Sequence, residues 1–218
     1  MRHKILQIVA FLIGWIPFPS LRRLLYSNLF GYKISKSVKI GFRTVIVVDS
    51  FIADEGVVIA RQSSFLGAFK VHLGARTYIG RFNRFQGIDA RMLAKSQHMG
   101  YEAHFSTATD CLINDDHFFD VYGKISIGSN SWIAGQASQF WTHGASRQDR
   151  NIAIGNDCYI GSAARFAPGS GIGDGVIVGM GSVVTKRIAG NDMVVAGVPA
   201  AKIKDRTPDD GFRFAKDW

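Results

Sequence analysis

Large apolar residues recur every six positions through the second half of this chain, and that spacing excludes most folds at once. Ile154, Ile160, Phe166, Ile172, Val178 and Val184 stand six apart; four residues after each comes Cys158, Ala164, Ser170, Val176, Ser182 or Ile188. These offsets are all even, so in extended backbone both series point to one face, one bulky and the other mostly small. A helix would place its partners three or four apart. The same register reads earlier as Ile34/Val38, Ile40/Thr44, Ile46/Ser50 and Ile52/Gly56, then as Leu73/Thr77 and Ile79/Asn83, then as Ile127/Ser131 and Ile133/Ala137. One such unit cannot bury its own apolar face, so the units must stack as coils, three to a turn, in an all-β solenoid of parallel strands. The period breaks over residues 86–124 and again over 139–151 (QFWTHGASRQDRN), and breaks in a solenoid map to loops, where function concentrates.

Three regions follow: residues 1–33, a body over 34–204 with loop insertions near 86–124 and 139–151, and a C-terminal tail over 205–218. Residues 5–16 form an apolar run, too short for the ~20 residues a spanning helix needs, and it ends at Pro17 and Pro19. In LRRLLYSNLF, Leu21, Leu24, Leu25 and Leu29 share a helical face with Arg22 and Arg23 off it. Residues 1–48 hold eight Lys and Arg and no acid, leaving +1 of the overall +9 for the other 170. A basic amphipathic pair of helices fits an anionic membrane surface, with the arginines drawn to headgroups. The expected location is cytoplasmic, peripheral at the inner face of the membrane. Two other readings stand beside it: a signal peptide, though no small-x-small cleavage site follows the apolar run, and a helical cap on the first coil. No nucleic-acid-binding signature accompanies the charge. Two distant cysteines, Cys111 and Cys158, supply neither a disulfide framework nor a metal knuckle, and Cys158 falls in the inward small series, a packing position.

Residues 125–204 carry more specific text: ISIGSNSWIAG, the loop QFWTHG, then IAIGNDCYIGSAARFAPGSGIGDGVIVGMGSVVTKRIAGNDMVVAGVPAAKIK. This resembles the hexapeptide-repeat acyltransferases, the superfamily of serine, maltose, galactoside and xenobiotic acetyltransferases. With its basic N-terminus the chain looks most like those that acetylate sugars of bacterial surface polysaccharides. The resemblance implies a left-handed parallel β-helix, a homotrimer, acetyl-CoA as donor in the groove between prisms, a sugar or glycan acceptor, and no metal in the chemistry.

O-acetylation requires a base for the attacking hydroxyl and donors for the oxyanion, and histidine titrates in the right range. Of six histidines, His143 lies in the loop that matches the family's catalytic-histidine loop. His117, in NDDHFFD, is the rival base or a partner, with Asp115 or Asp116 to orient either ring; otherwise the motif is a turn with packing phenylalanines. Asn114 and Trp141 are candidates for the acceptor cleft, the indole as a stacking face for a sugar ring. The resemblance assigns the donor to Ser162 and Ala163, to Met180 and Gly181 one coil on, to Thr185 and Lys186, and to Val198, Pro199, Lys202 and Lys204 near the nucleotide end.

Two functions of other classes compete. A zinc protein like the γ-type carbonic anhydrases needs three histidines, and His98 and His104 are the only close pair here. A non-enzymatic solenoid scaffold would need neither the His-bearing loop nor the CoA-type segment.

Overall fold

The structure, a computed structural model, describes residues 2–89, 102–144 and 149–207, with side chains from residue 5 onward. Two helices open the chain, α1 (Arg2–Gly14) and α2 (Pro19–Phe30). The rest is a left-handed parallel β-helix, its stacked coils as the hexads predict and its hand as the resemblance implies: short strands in three sheets that form the faces of a prism. The chain visits the sheets in turn, so each strand pairs in parallel with the equivalent strand one coil away. On the first face Ser50–Ala53, Lys70–Leu73, His104–Thr107, Lys124–Ile127 and Ile152–Ile154 follow one another. On the third face Ser64–Leu66, Arg84–Gln86, Phe118–Asp120, Gln139–Trp141 and Arg165–Phe166 do the same.

Alternation sorts the side chains. On the third face the central residue of each strand points in, giving a ladder of Phe65, Phe85, Phe119, Phe140 and Phe166, all fully buried. Successive rings stack with centroids 4.2, 4.5, 4.7 and 5.0 Å apart, the strand spacing of a parallel sheet. The inner small series is polar in several coils, with Thr44, Ser63, Thr77, Asn83, Ser131 and Ser182 buried, and these side chains bond the backbone at the corners. Ser131 Oγ, for example, donates to Gly155 O at 2.8 Å. The close approach of the coils explains a column of glycines. A Cβ on Gly128 would lie 2.5 Å from the Gly155 backbone, and one on Gly155 2.5 Å from that of Gly173.

Two stretches of the predicted register are corrected. Between Ile46 and Ile59 the inward residues are Phe51, Ala53 and Val57, whereas Ser50 and Ile52 are only half-buried and Gly56 is an exposed corner. The corner after Ile46 also buries Val47, and the extra residue it takes flips every side chain that follows. Likewise Phe140 follows Ile133 by seven, because the corner there is one residue longer; Ser138 is the buried member and Ala137 is exposed at φ 64°. The stretch 86–124, read as an interruption, contains the full coil His104–Thr107, Leu112–Ile113 and Phe118–Asp120. Polar Thr107 in the bulky series and the imidazole of His117 in the small one disguise its period. Gln139–Trp141 is likewise a strand, so the second interruption begins after it.

Both ends of the solenoid are closed. At the start, Arg22 is buried beneath the helices and donates from Nε to Ile40 O at 2.8 Å, from Nη2 to the same oxygen at 2.6 Å, and from Nη1 to Ile16 O. The buried Tyr26 hydroxyl lies 3.2 Å from Ala10 O and 3.1 Å from Thr44 O and accepts from Ile46 N at 3.2 Å. Carbonyls and amides that the first coil would leave bare are thereby satisfied. At the far end Ala200–Asp205 folds back antiparallel on Met193–Gly197.

Candidate active site

Among the described residues, the edge where the third face turns into the first carries a histidine whose ring is held by a buried carboxylate, the form of a general base. Asp120 ends its strand with a buried carboxylate, and one coil later Thr142 and His143 leave Trp141 at the same corner. Asp120 Oδ2 accepts from Thr142 N at 2.9 Å, from His143 N at 2.9 Å and from His143 Nδ1 at 2.8 Å. Thr142 Oγ1 is fixed in turn: it accepts from Tyr122 N and Gly123 N, each at 2.8 Å, and donates to Asp120 O. A carboxylate has no proton to give, so Nδ1 donates and the Nε2 lone pair is left to act. The ring is held between aromatics, Tyr122 at 4.6 Å and Trp141 at 6.0 Å between centroids, while about half of the side chain stays open to solvent.

Next to it runs the outer surface of the third face. Trp141 packs on Phe118 at 4.9 Å and donates from Nε1 to Gln139 Oε1 at 3.2 Å, and the Arg84 guanidinium lies 5.4 Å over the Phe118 ring. Farther along, a cavity of about 450 Å³ is lined by Ser64, Leu66, Arg84, Gln86, Tyr122 and, from α1, Gln7, among others. Flat rings, an amide and a guanidinium are the groups that bind sugar faces and hydroxyls.

His117 occupies a different place. It points inward in the small-residue series, with no solvent exposure, and its Nδ1 accepts from Ser138 N at 3.1 Å. Its Nε2 is buried without a partner, and burial pushes the imidazole pKa down to about 4. It sits on the edge between the second and third faces, His143 on the edge between the third and first, so stacking does not bring the two rings together. Neither expected carboxylate orients a histidine ring by a hydrogen bond. Asp115 is tied to Arg81, whose Nε lies 2.8 Å from Oδ2, and Asp116 is an exposed corner residue at φ 54°. Asp120 is the residue the sequence reading missed. Aligning FFD with QFW places it beside Trp141, which was the available signal.

The residues matched to the donor fall into three groups. Ser162 and Ala163 lie directly over Met180 and Gly181, with Gly181 N donating to Ser162 O at 2.9 Å, on the edge between the second and third faces. Met180 is 77% exposed there. Asn114 belongs to this edge too, its carbonyl accepting from Asn83 Nδ2 at 2.6 Å. Thr185 and Lys186 are exposed on the His143 edge instead, two coils beyond it and so roughly 10 Å away by strand spacing. Val198 and Pro199 form the exposed turn before the last strand, which carries Lys202 and Lys204; Lys202 Nζ pairs with Asp205 at 2.5 Å.

Of the histidines weighed for zinc, His98 lies outside the described residues. His104 stands in register between Lys70 and Lys124, and burial, then Lys124, lowers its pKa. Among the described residues no cluster of three or more metal-ligating side chains occurs. Cys158 is a buried packing residue, its thiol pushed up to about 11 by burial. His72 is a half-exposed strand residue 3.1 Å from Asp54.

No family profile matches the chain. It is 43% identical over 67 residues to the galactoside O-acetyltransferase of Escherichia coli K12, a match spanning 31% of this chain and 32% of that one. Over 104 residues it is 35% identical to the colanic acid biosynthesis acetyltransferase WcaF of the same organism, spanning 43% and 54%. The chain thus spans about a third and about half of the length of these curated relatives. Among solved structures, a maltose O-acetyltransferase from Clostridium difficile 630 aligns with 94% of this chain and 86% of its own, at 21% identity and a TM-score of 0.49. The chain is a relative of the hexapeptide-repeat acyltransferases, and sugar O-acetyltransferases are among its sequence matches.

Proposed function

We propose that this protein is an O-acetyltransferase that moves an acetyl group from acetyl-CoA to a sugar hydroxyl of a surface polysaccharide or of a lipid-linked glycan precursor. The observation that carries the reading is the Asp120–His143 pair, with Nδ1 held and Nε2 facing out beside an aromatic and polar surface. His143 Nε2 takes the proton of the acceptor hydroxyl as its oxygen attacks the thioester carbonyl. Collapse of the tetrahedral intermediate breaks the C–S bond, and the leaving thiolate receives the proton from the imidazolium. Buried Asp120 stabilises the imidazolium between those steps. No covalent enzyme intermediate and no metal takes part.

The acceptor rests on Trp141 and Phe118, with Gln139 and Arg84 within reach of its hydroxyls. The acetyl-CoA arm lies along the Ser162, Ala163, Met180 and Gly181 column, where small residues let a ligand approach the backbone. That column and His143 belong to different edges of one prism. A homotrimer, with one chain's donor edge against the next chain's His143 edge, completes the site; Lys186, Lys202 and Lys204 then serve the phosphates.

The test is CoA release from acetyl-CoA over a panel of sugars, run for the wild type and His143→Ala. Acceptor-dependent release that collapses in the variant supports the reading. Turnover that survives in His143→Ala refutes the assignment of the base, and absence of acetyl-CoA binding refutes the enzyme.

A further inference from the structure

The two N-terminal helices are amphipathic with the wrong side out. α2 turns Arg22 and Tyr26 into the protein and leaves Leu21, Leu24 and Leu29 in solvent. α1 buries Ala10 and Ile13 and leaves Ile8 and Leu12, both 61% exposed, beside Ile5, Phe11 and Trp15, and Phe18 joins them at the bend. Capping the first coil accounts for the inward residues; it does not account for nine large apolar side chains left in solvent between Ile5 and Leu29, more than scattered exposure supplies. The surroundings are basic. Arg43 lies 4.8 Å over the Trp15 ring, and Lys33, Lys36 and Lys39 are exposed just beyond α2. The first acid of the chain is Asp49. Arg22, expected to meet headgroups, is instead the bolt of the cap, so the lipid-facing charge falls to Arg43 and the lysines. Among the described residues no helix is long and apolar enough to cross a membrane.

We infer that the outer face of α1 and α2 docks on an anionic lipid bilayer, its apolar side chains set among the acyl chains and its lysines and Arg43 at the headgroups. An apolar strip bordered by Arg43, Lys36 and Lys39, with Lys33 sharing its cavity with Asp54 and Glu55, is chemistry that an anionic lipid surface complements. Docking also fixes the acceptor's carrier. Gln7 of α1 lines the cavity that reaches Tyr122, whose ring lies 4.6 Å from that of His143, so the docked face holds this cavity against the bilayer surface, where a glycan on a membrane lipid is presented. The placement is the inner leaflet, on the acetyl-CoA side. The carrier part rests on the proposed acyl transfer; the docking does not.

Full-length protein is mixed with phosphatidylcholine vesicles with and without phosphatidylglycerol and floated on a gradient. The expected result is binding to the anionic vesicles, weakened about tenfold or more without phosphatidylglycerol or in about 0.5 M salt. Ile8→Glu with Leu12→Glu, both outward and leaving the core intact by thermal melting, abolishes it, and His143→Ala leaves it unchanged. Wild type that stays with the unbound fraction overturns the docking, as does equal binding by the double variant. So does a dimer in sedimentation velocity that the double variant dissolves while no vesicle binding occurs, since the face then belongs to a second copy. In turnover, dodecyl glycosides carried in the anionic vesicles are preferred over the same methyl glycosides in solution. The double variant loses that preference and keeps its rate on the methyl glycosides. Equal use of both forms by the wild type overturns the membrane carrier, and turnover of neither with vesicle binding intact overturns the acyl transfer reading instead.

Discussion

His117 and His143 lie one coil apart in the same solenoid, and the fold gives them opposite fates. His117 falls on an inward position, where six-residue stacking demands a small polar group; the imidazole fills that place with one nitrogen bonded and one unsatisfied. His143 falls where the chain leaves the repeat, so its ring stands outside the prism while its backbone and Nδ1 stay tied to a buried carboxylate. The inner ring is kept neutral by desolvation; the outer one keeps access to solvent. Chemistry at this site is a matter of which side of the wall a histidine occupies and which oxygen holds its Nδ1, and identity or spacing alone does not settle either.

The sharpest way to break this contrast is to remove each ring in turn. His143→Ala is expected to lower acceptor-dependent kcat by about 10³-fold, within the range for loss of a general base, with acetyl-CoA affinity unchanged in a direct binding assay. A kcat within a few-fold of wild type would remove His143 from the base role. His117 is expected to show itself in stability instead. Its folded pKa of about 4 lies below the ~6.5 of an exposed imidazole, so between those values the unfolded chain binds the extra proton. The contribution is whole above about pH 6.5, fades as the pH falls, and reaches a loss of ~3 kcal/mol near pH 4. His117→Asn puts at this position the residue type that Asn83 supplies one coil earlier. It is expected to flatten the fall in melting temperature between about pH 7 and pH 4.5 and to leave turnover at neutral pH near wild type. An unchanged slope, or a collapse of kcat, would reverse the roles of the two histidines.

Much of the solenoid is legible from the chain because its physics is local: an even offset means one face, and a period of six means a coil. The hexads from Ile154 to Val184 read without error for that reason. Register is lost at Ser50, Ile52 and Gly56, where the corner takes one more residue with no glycine or proline between Ile46 and Phe51, and at Ala137, where Gly135 marks the corner but not its extra residue. The coil through His104, Leu112 and Phe118 reads as a loop because Thr107 and His117 interrupt its apolar and small inward series. His143 was legible from its loop. Its orienting residue was not, because Asp120 reaches His143 across 23 positions of sequence and only the pairing of Phe118–Asp120 with Gln139–Trp141 brings them together. The N-terminal helices carry a further trap: Leu21, Leu24 and Leu29 stand in solvent while Leu25 packs inward beside Arg22, and which face looks inward is decided by the carbonyl of Ile40, which belongs to the first coil.

Asp120 offers a finer test of what separates the two rings. Asp120→Asn keeps the size of the side chain and gives it an N–H of its own, which favours the wrong tautomer of His143 and leaves the imidazolium without its counter-charge. The expected cost is about 100-fold in kcat with little change in either KM, measured at saturating acetyl-CoA. An effect as small as twofold would mean that the backbone bonds at Thr142 and His143 suffice to aim the ring.

The smallest expected effect concerns the surface against which His143 works. Trp141 touches both Phe118 and His143, so its removal separates acceptor binding from positioning of the base. If the indole is the stacking face for the sugar, Trp141→Ala raises acceptor KM about three- to tenfold, the range of one aromatic contact, with kcat held, and Trp141→Phe restores most of it. A fall in kcat at unchanged KM would instead make the indole a positioning residue for the His143 ring. A shift in sedimentation coefficient would make it part of a subunit contact. Each result states how much of the difference between the two histidines is made by the wall around the outer one.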